Sequence, residues 1–175
     1  MGTLQRDLKQ RLPFASREEE AYLNLVRTAD ALSRGVAAVL KPHRLSEAQY
    51  NVLRILRGAG PEGHACSEIG NRLVTRDPDV TRLLDRLEGR GLIARSREHA
   101  DRRVVMTRIT AAGLALLGQL DGPVRQAVER MLAHVGPRQL GQLIGLLEQA
   151  REPTRAAAPR TRPGRRPART AATAR

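Results

Sequence analysis

The sequence predicts a mainly α protein with one small β-hairpin, an α+β chain, on three observations. Apolar residues make up 41% of the 175 residues and recur at helical spacing along most of the chain. Aromatics contribute only 2% and tryptophan is absent, so a core must come from Leu, Val, Ile and Ala, which suits packed helices. Two β-rich runs, LIARSR at 92–97 and RVVMTRI at 103–109, break this pattern, separated only by EHADR.

Residues 18–40 open with three acids, favourable at the positive end of a helix. Ala21, Leu25, Ala29, Leu32, Val36 and Val39 or Leu40 continue it at helical intervals, and Pro42 ends it. In LSEAQY, Ser46 and Gln49 have capping-box spacing, and Leu45 and Tyr50 stand where a hydrophobic staple forms. Tyr50, Leu53 and Leu56 or Ile55 carry this second helix to Gly58, and GAGPEG is a loop. A third, short helix covers about 66–73, with Ile69 and Leu73 inward. For the fourth, Asp77 can cap, Pro78 fits the first position and Asp79 the first turn. Val80, Leu83, Leu84 and Leu87 form one apolar stripe, with Thr81, Arg82, Asp85 and Arg86 away from it. Gly91 suits a left-handed helix end.

The two β-rich runs then make a hairpin with a loop longer than a tight turn. Thr110 caps a helix carrying Leu114, Leu117 and Leu120, which DGP at 121–123 is expected to kink or break. Val124, Val128, Met131, Leu132 and Val135 resume the pattern. Pro137 starts a last helix with Leu140, Leu143, Ile144 and Leu147. Residues 1–17 read as an N-terminal arm, and 151–175 as a disordered tail rich in Arg, Pro and Ala. The centre is therefore a helix-turn-helix followed by a two-stranded ribbon, a winged helix.

Charge indicates the class of partner. The net charge is +13, of which residues 151–175 hold +7, and only Lys9 and Lys41 among the 31 basic residues are lysines. Arginine forks onto phosphates and base edges, and a basic protein has polyanions as natural partners. A solvated surface with no partner is the plain alternative. The tail either adds non-specific phosphate contacts or is an inert extension.

Cys66 is the only cysteine, which leaves no disulfide framework. It reads as a passive small residue rather than a redox sensor, since no second cysteine can resolve a sulfenate. His43, His64, His99 and His134 are scattered without ligand spacing, so no metal or cofactor is expected. No nucleophile–base pair, phosphate-binding glycine loop or acid pair points to an enzyme. The N-terminus lacks a signal peptide's apolar core, MGTLQR fits only part of a myristoylation signal, and no apolar run approaches a membrane span. A cytoplasmic protein is the expectation.

A helix entering the major groove reads bases mainly through its N-terminal residues, which nominates Thr75, Arg76, Asp79, Thr81 and Arg82, with Arg86 on the same side. An ordinary amphipathic helix with a solvated face is the competing reading. The ribbon strengthens the DNA reading. Arg102 and Arg103 at its tip can enter a minor groove, and Arg97 flanks them on the first strand. Asp101 beside them can aim a guanidinium before DNA arrives, or form only a solvent-exposed ion pair worth about 0–1 kcal/mol.

In order and spacing, QYNVLRIL, VTRLLDRLEGRGLIAR and DRRVVMTRITAAG resemble the winged helix-turn-helix regulators of the MarR family. The resemblance covers roughly residues 18–150. It implies a homodimer joined through dimerisation helices at about 18–40, 111–135 and 137–150, bound to a pseudo-palindromic operator. It also implies a DNA-binding lobe at about 46–110, with a recognition helix at 77–90 and a wing at 95–103 whose aspartate positions arginine. Many such proteins repress transcription and release DNA when a small aromatic or phenolic ligand binds between the dimerisation helices and the lobe. Phe14, Tyr22 and Tyr50 are the only rings available to stack on one. Gly70 stands where the family usually has alanine, which would loosen the third helix, and the tail lies outside the family pattern.

The apolar stripes holding Leu25, Leu32, Leu140, Ile144 and Leu147 are partly intramolecular core. One small domain could hardly cover them all, so burial against a second copy is favoured. Recognition helices would then lie about 34–36 Å apart. Two rival functions stand beside a regulator: an architectural DNA-binding protein using the winged helix and basic tail, and a small-molecule carrier.

Overall fold

Most of the helices form where apolar period and local punctuation agree. The computed structural model describes residues 3–75, 79–97 and 104–156, and the chain divides into two units, Met1–Ala133 and His134–Arg175. Predictions that fall on Arg76, Asp77, Pro78, on the ribbon tip 98–103 and on 157–175 lie outside the described residues.

In the first unit, α1 (Thr3–Asp7) lies in the predicted arm, with Leu4 and Gln5 buried and the Gln5 amide donating to Leu12 O at 3.1 Å. Helix α2 (Arg17–Leu40) is capped by Ser16, whose hydroxyl accepts from Glu19 N at 3.1 Å. Helix α3 (Glu47–Ala59) carries the expected capping box: Gln49 N donates to Ser46 Oγ at 3.2 Å, and Ser46 N donates to Gln49 Oε1 at 3.0 Å. Leu45 and Tyr50, the staple pair, are both buried. Strand β1 (His64–Ala65), α4 (Cys66–Arg72), α5 (Val80–Glu88), β2 (Ile93–Arg97), β3 (Val105–Ile109) and α6 (Ala111–Leu132) follow. One core joins them, with Leu40, Leu53, Leu56, Ile69, Leu84, Leu87, Ile93, Leu117 and Leu120 all fully enclosed or nearly so.

Three expectations need correction. The ribbon is the larger part of a three-stranded antiparallel sheet of order β1-β3-β2, because His64 and Ala65 pair with Thr107 and Met106 on the free side of β3. Asp79 is the N-cap of α5 rather than a first-turn residue: its carboxylate accepts from Arg82 N at 3.0 Å. Helix α6 runs as one helix through DGP, so the chain does not break there. Pro123 forfeits one backbone bond there, but Leu117, Leu120 and Val124 on both sides are buried in the core, and that burial outweighs the lost bond. At Gly70 in α4 a Cβ would sit 3.3 Å from Val80 Cγ2 of α5.

Asp121, in the DGP segment, also ties α6 to α3. Arg57 pairs with its carboxylate and Tyr50 Oη donates to it at 3.2 Å. The guanidinium holds the Asp121 carboxyl below the usual carboxylate range, while burial pushes the Tyr50 phenol up. A depressed carboxylate stabilises the fold above its unfolded pKa, and that contribution disappears as pH falls through the folded value. Asp121→Asn should therefore flatten the loss of melting temperature on acidification below about pH 4. Identical acid profiles for the two proteins would show the pair contributes nothing.

The second unit holds α7 (Pro137–Ala156), which passes residue 150, where the tail was expected to begin, and reaches Ala156. Leu143, Ile144 and Leu146 are exposed along it.

Candidate nucleic-acid interface

Helix α5 turns one face to the core and the other to solvent. Leu83, Leu84 and Leu87 are buried and Val80 is half-buried, while Thr81, Arg82, Asp85 and Arg86 are exposed. The Asp79 cap fixes the first turn, so the Arg82 side chain leaves from an anchored backbone. Upstream, Val74 N donates to Asn51 Oδ1 at 2.9 Å, tying the turn between the two helices to α3 and leaving Thr75 exposed.

The end of α5 is built as firmly as its start. Leu92 N donates to Leu87 O at 3.1 Å and Gly91 N to Glu88 O at 2.8 Å, with Gly91 at φ +68°. These are the two bonds of a Schellman motif, and its hydrophobic partners Leu87 and Leu92 are both buried. Thr110 then latches the ribbon and α6 to this turn: its hydroxyl donates to Gly91 O at 2.7 Å and accepts from Gly113 N at 3.1 Å. Gly113 permits the approach, because a Cβ there would lie 2.3 Å from Leu92 O. Arg90 extends the network backwards, donating to the carbonyls of Arg44 at 2.7 Å and His43 at 3.0 Å just after α2.

The ribbon is joined to the exposed side of α5 by a contact that sequence reasoning missed. Arg95, in β2, donates from Nε to Glu88 Oε2 at 2.8 Å. One terminal nitrogen donates to Glu88 Oε2 and Asp85 Oδ1, both at 2.5 Å. Arg95 N also donates to Glu88 Oε1 at 3.0 Å. Arg95 holds the Glu88 carboxyl below the usual carboxylate range. Asp85, the one acid among Thr81, Arg82, Asp85 and Arg86 on the side away from the apolar stripe, was the available signal, and its partner lies ten residues on.

The predicted site residues thus fall into three groups. Thr81, Arg82 and Arg86 share one exposed face of α5, with Thr75 exposed ahead of it and Asp79 engaged as the cap. Arg97 is exposed at the end of β2, paired in register with Val105. Arg76, Asp101, Arg102 and Arg103 lie outside the described residues. Among the described residues no cluster of His, Cys, Asp or Glu could hold a metal ion, and no helix is long and apolar enough to cross a membrane. Cys66 Sγ lies 3.5 Å from the buried Thr107 Oγ1.

A helix-turn-helix with an attached sheet, presenting arginines from the second helix, defines a winged helix DNA-binding module. The model of the MarR family matches residues 45–105. A crystal structure of a MarR transcription factor from Planctomyces limnophilus is 45% identical; the match covers 78% of this chain and 99% of that one, with a TM-score of 0.61. The transcriptional repressor CouR, bound to a 23-mer DNA duplex, is 28% identical over 81% of this chain and 99% of its own, with a TM-score of 0.69. The HTH-type transcriptional regulator YkoM of Bacillus subtilis, described as uncharacterized, is 28% identical over 144 residues, 80% of this chain and 92% of that protein. This chain belongs to the MarR family of DNA-binding transcriptional regulators. The relatives it matches are regulators, not enzymes.

Proposed function

We propose that the protein is a sequence-specific repressor that binds a pseudo-palindromic operator in double-stranded DNA as a homodimer and releases it when a small ligand binds. The observation that carries this reading is the fixed union of α5 and the β2–β3 ribbon through Arg95, Asp85 and Glu88. It sets the ribbon beside the helix face bearing Thr81, Arg82 and Arg86. In this reading residues 46–110 are the DNA-binding lobe, and Arg76, Arg97, Arg102 and Arg103 join the contact set, with Asp101 aiming the arginines of the tip. Selection of bound duplexes from a random pool at physiological salt tests the proposal. An enriched inverted repeat supports it; no enrichment sinks it and favours the architectural reading that the basic tail suggests. On the enriched duplex, Arg102→Ala or Arg103→Ala should lose affinity at unchanged melting temperature. Asp101→Ala should lose part of it despite removing a negative charge; tighter binding by that variant would replace aiming with simple repulsion.

The dimer reading draws on exposed apolar side chains in each unit taken alone. Tyr22, Leu25 and Val26 are exposed on α2, with Leu32 half-buried; Ile144 is exposed on α7, with Leu140 and Leu147 half-buried. Burial of such faces against a second copy removes them from water. Ile144→Arg should shift the mass measured by light scattering from two chains to one and abolish cooperative operator binding. A variant that stays dimeric would move the interface elsewhere.

An open cleft of about 450 Å³ between α2 and α6 is a candidate for the effector, lined by Gly35, Ala38, Val39, Ala127, Arg130 and Met131. Apolar walls with one guanidinium suit a small aromatic acid or phenolate. None of the three aromatics considered from sequence lines it, and Tyr50 is instead buried against Asp121.

A further inference from the structure

Asp85 and Glu88 stand on or beside the helix face that, in the reading above, meets a polyanion. Electrostatics alone disfavours acids at such a place, since each repels phosphate. Fold stability does not explain them well either: Asp85 is 53% exposed, and pairs of that exposure contribute little. The geometry offers another reason. Glu88 uses both oxygens and Arg95 uses its backbone amide, Nε and a terminal nitrogen, so the contact fixes direction as well as distance. A planar guanidinium fork can do this where a lysine ammonium cannot. The strand held this way is the one that leads to the ribbon tip, and the helix that holds it carries the candidate base-reading residues. The angle between the two elements is therefore set before any DNA is bound, and ordering it is not left to the binding step.

We infer that Asp85, Glu88 and Arg95 are positioning residues that set the angle between the recognition helix and the ribbon, and so govern discrimination between duplex sequences rather than affinity for duplexes in general. The inference rests on the reading that both elements meet one DNA site. Its test uses the full chain, a duplex enriched from a random pool by the wild-type protein, and a scrambled duplex of equal length. The Asp85→Asn/Glu88→Gln variant loses two negative charges. It should nevertheless bind the enriched duplex roughly tenfold more weakly, about the effect of one mismatched base pair, and the scrambled duplex at least as well as wild type. Arg95→Lys, which keeps the charge and lacks the fork, should fall between. Asp85→Asn alone disturbs only a half-exposed side chain and should shift the ratio of the two affinities in the same direction. If both affinities rise together, the acids merely repel DNA; if both fall together with the melting temperature, the contact is only structural. Either result overturns the inference. Failure to enrich any duplex would overturn the underlying reading and this inference with it, whereas an enriched duplex with an unchanged ratio defeats the inference alone.

Discussion

Arg82→Ala should lower affinity for the enriched operator by roughly 5- to 150-fold, the 1–3 kcal/mol that a bidentate arginine–guanine contact supplies. The expectation rests on placement. Arg82 is exposed in the first turn of α5, its backbone N–H is held by the Asp79 carboxylate, and Leu83 and Leu84 beside it anchor the helix in the core. Its guanidinium therefore starts from a fixed stem, and truncating it removes no buried contact. Melting temperature should hardly change, since surface substitutions of this kind stay within about 0.5 kcal/mol. Fluorescence anisotropy against the operator and a scrambled duplex separates two roles. A base contact costs operator affinity far more than scrambled affinity, while a phosphate contact weakens both alike and lowers the salt slope by about one. Equal losses on the two duplexes would remove Arg82 from sequence reading.

Gly113→Ala should be among the most damaging single methyl additions in the chain. The new Cβ would sit 2.3 Å from Leu92 O and 2.7 Å from Ile109 Cγ1. The first obstacle is backbone, which cannot swing aside as a side-chain end can. Relief requires moving the start of α6 away from the turn that closes α5, and this breaks the Thr110 latch to Gly91 and the bond from Thr110 N to Leu92 O. Overpacking of this kind costs about 1–3 kcal/mol or more. In a domain of this size that lowers the melting temperature by several degrees. Thr110→Val, which deletes the latch hydroxyl without a clash, should cost about 1 kcal/mol as the loss of a helix cap. Thermal denaturation of the two variants gives the order. A Gly113→Ala protein as stable as wild type would mean that α6 and the ribbon are not rigidly joined.

These two residues differ in how far the sequence disclosed them. Arg82 is legible because helical period alone puts it opposite Val80, Leu83, Leu84 and Leu87. Gly113 could be quoted as part of a family pattern, but its reason, a backbone carbonyl from 21 residues earlier, exists only in the folded chain. The same division runs through the fold. Ser46 with Gln49, Gly91 and the two β-rich runs act within a few residues of themselves, and each appears as read. Strand β1 is two residues long and has no period to detect; it is a strand because β3 offers a free edge. The unbroken course of α6 through Pro123 depends on burial against distant elements, which local helix rules do not count.

By itself the sequence determined most of the helical stretches, which face of each is apolar, where most caps and turns fall, and that the chain is basic and rich in arginine. Those properties depend on neighbours one to four positions apart, where period and side-chain chemistry suffice. Tertiary structure alone decided that Asp121 holds α3 to α6, and that Asp85 and Glu88 grip Arg95 between α5 and the ribbon. A carboxylate in a sequence is an open valence for any cation within reach, and only the packing of the apolar faces decides which guanidinium arrives.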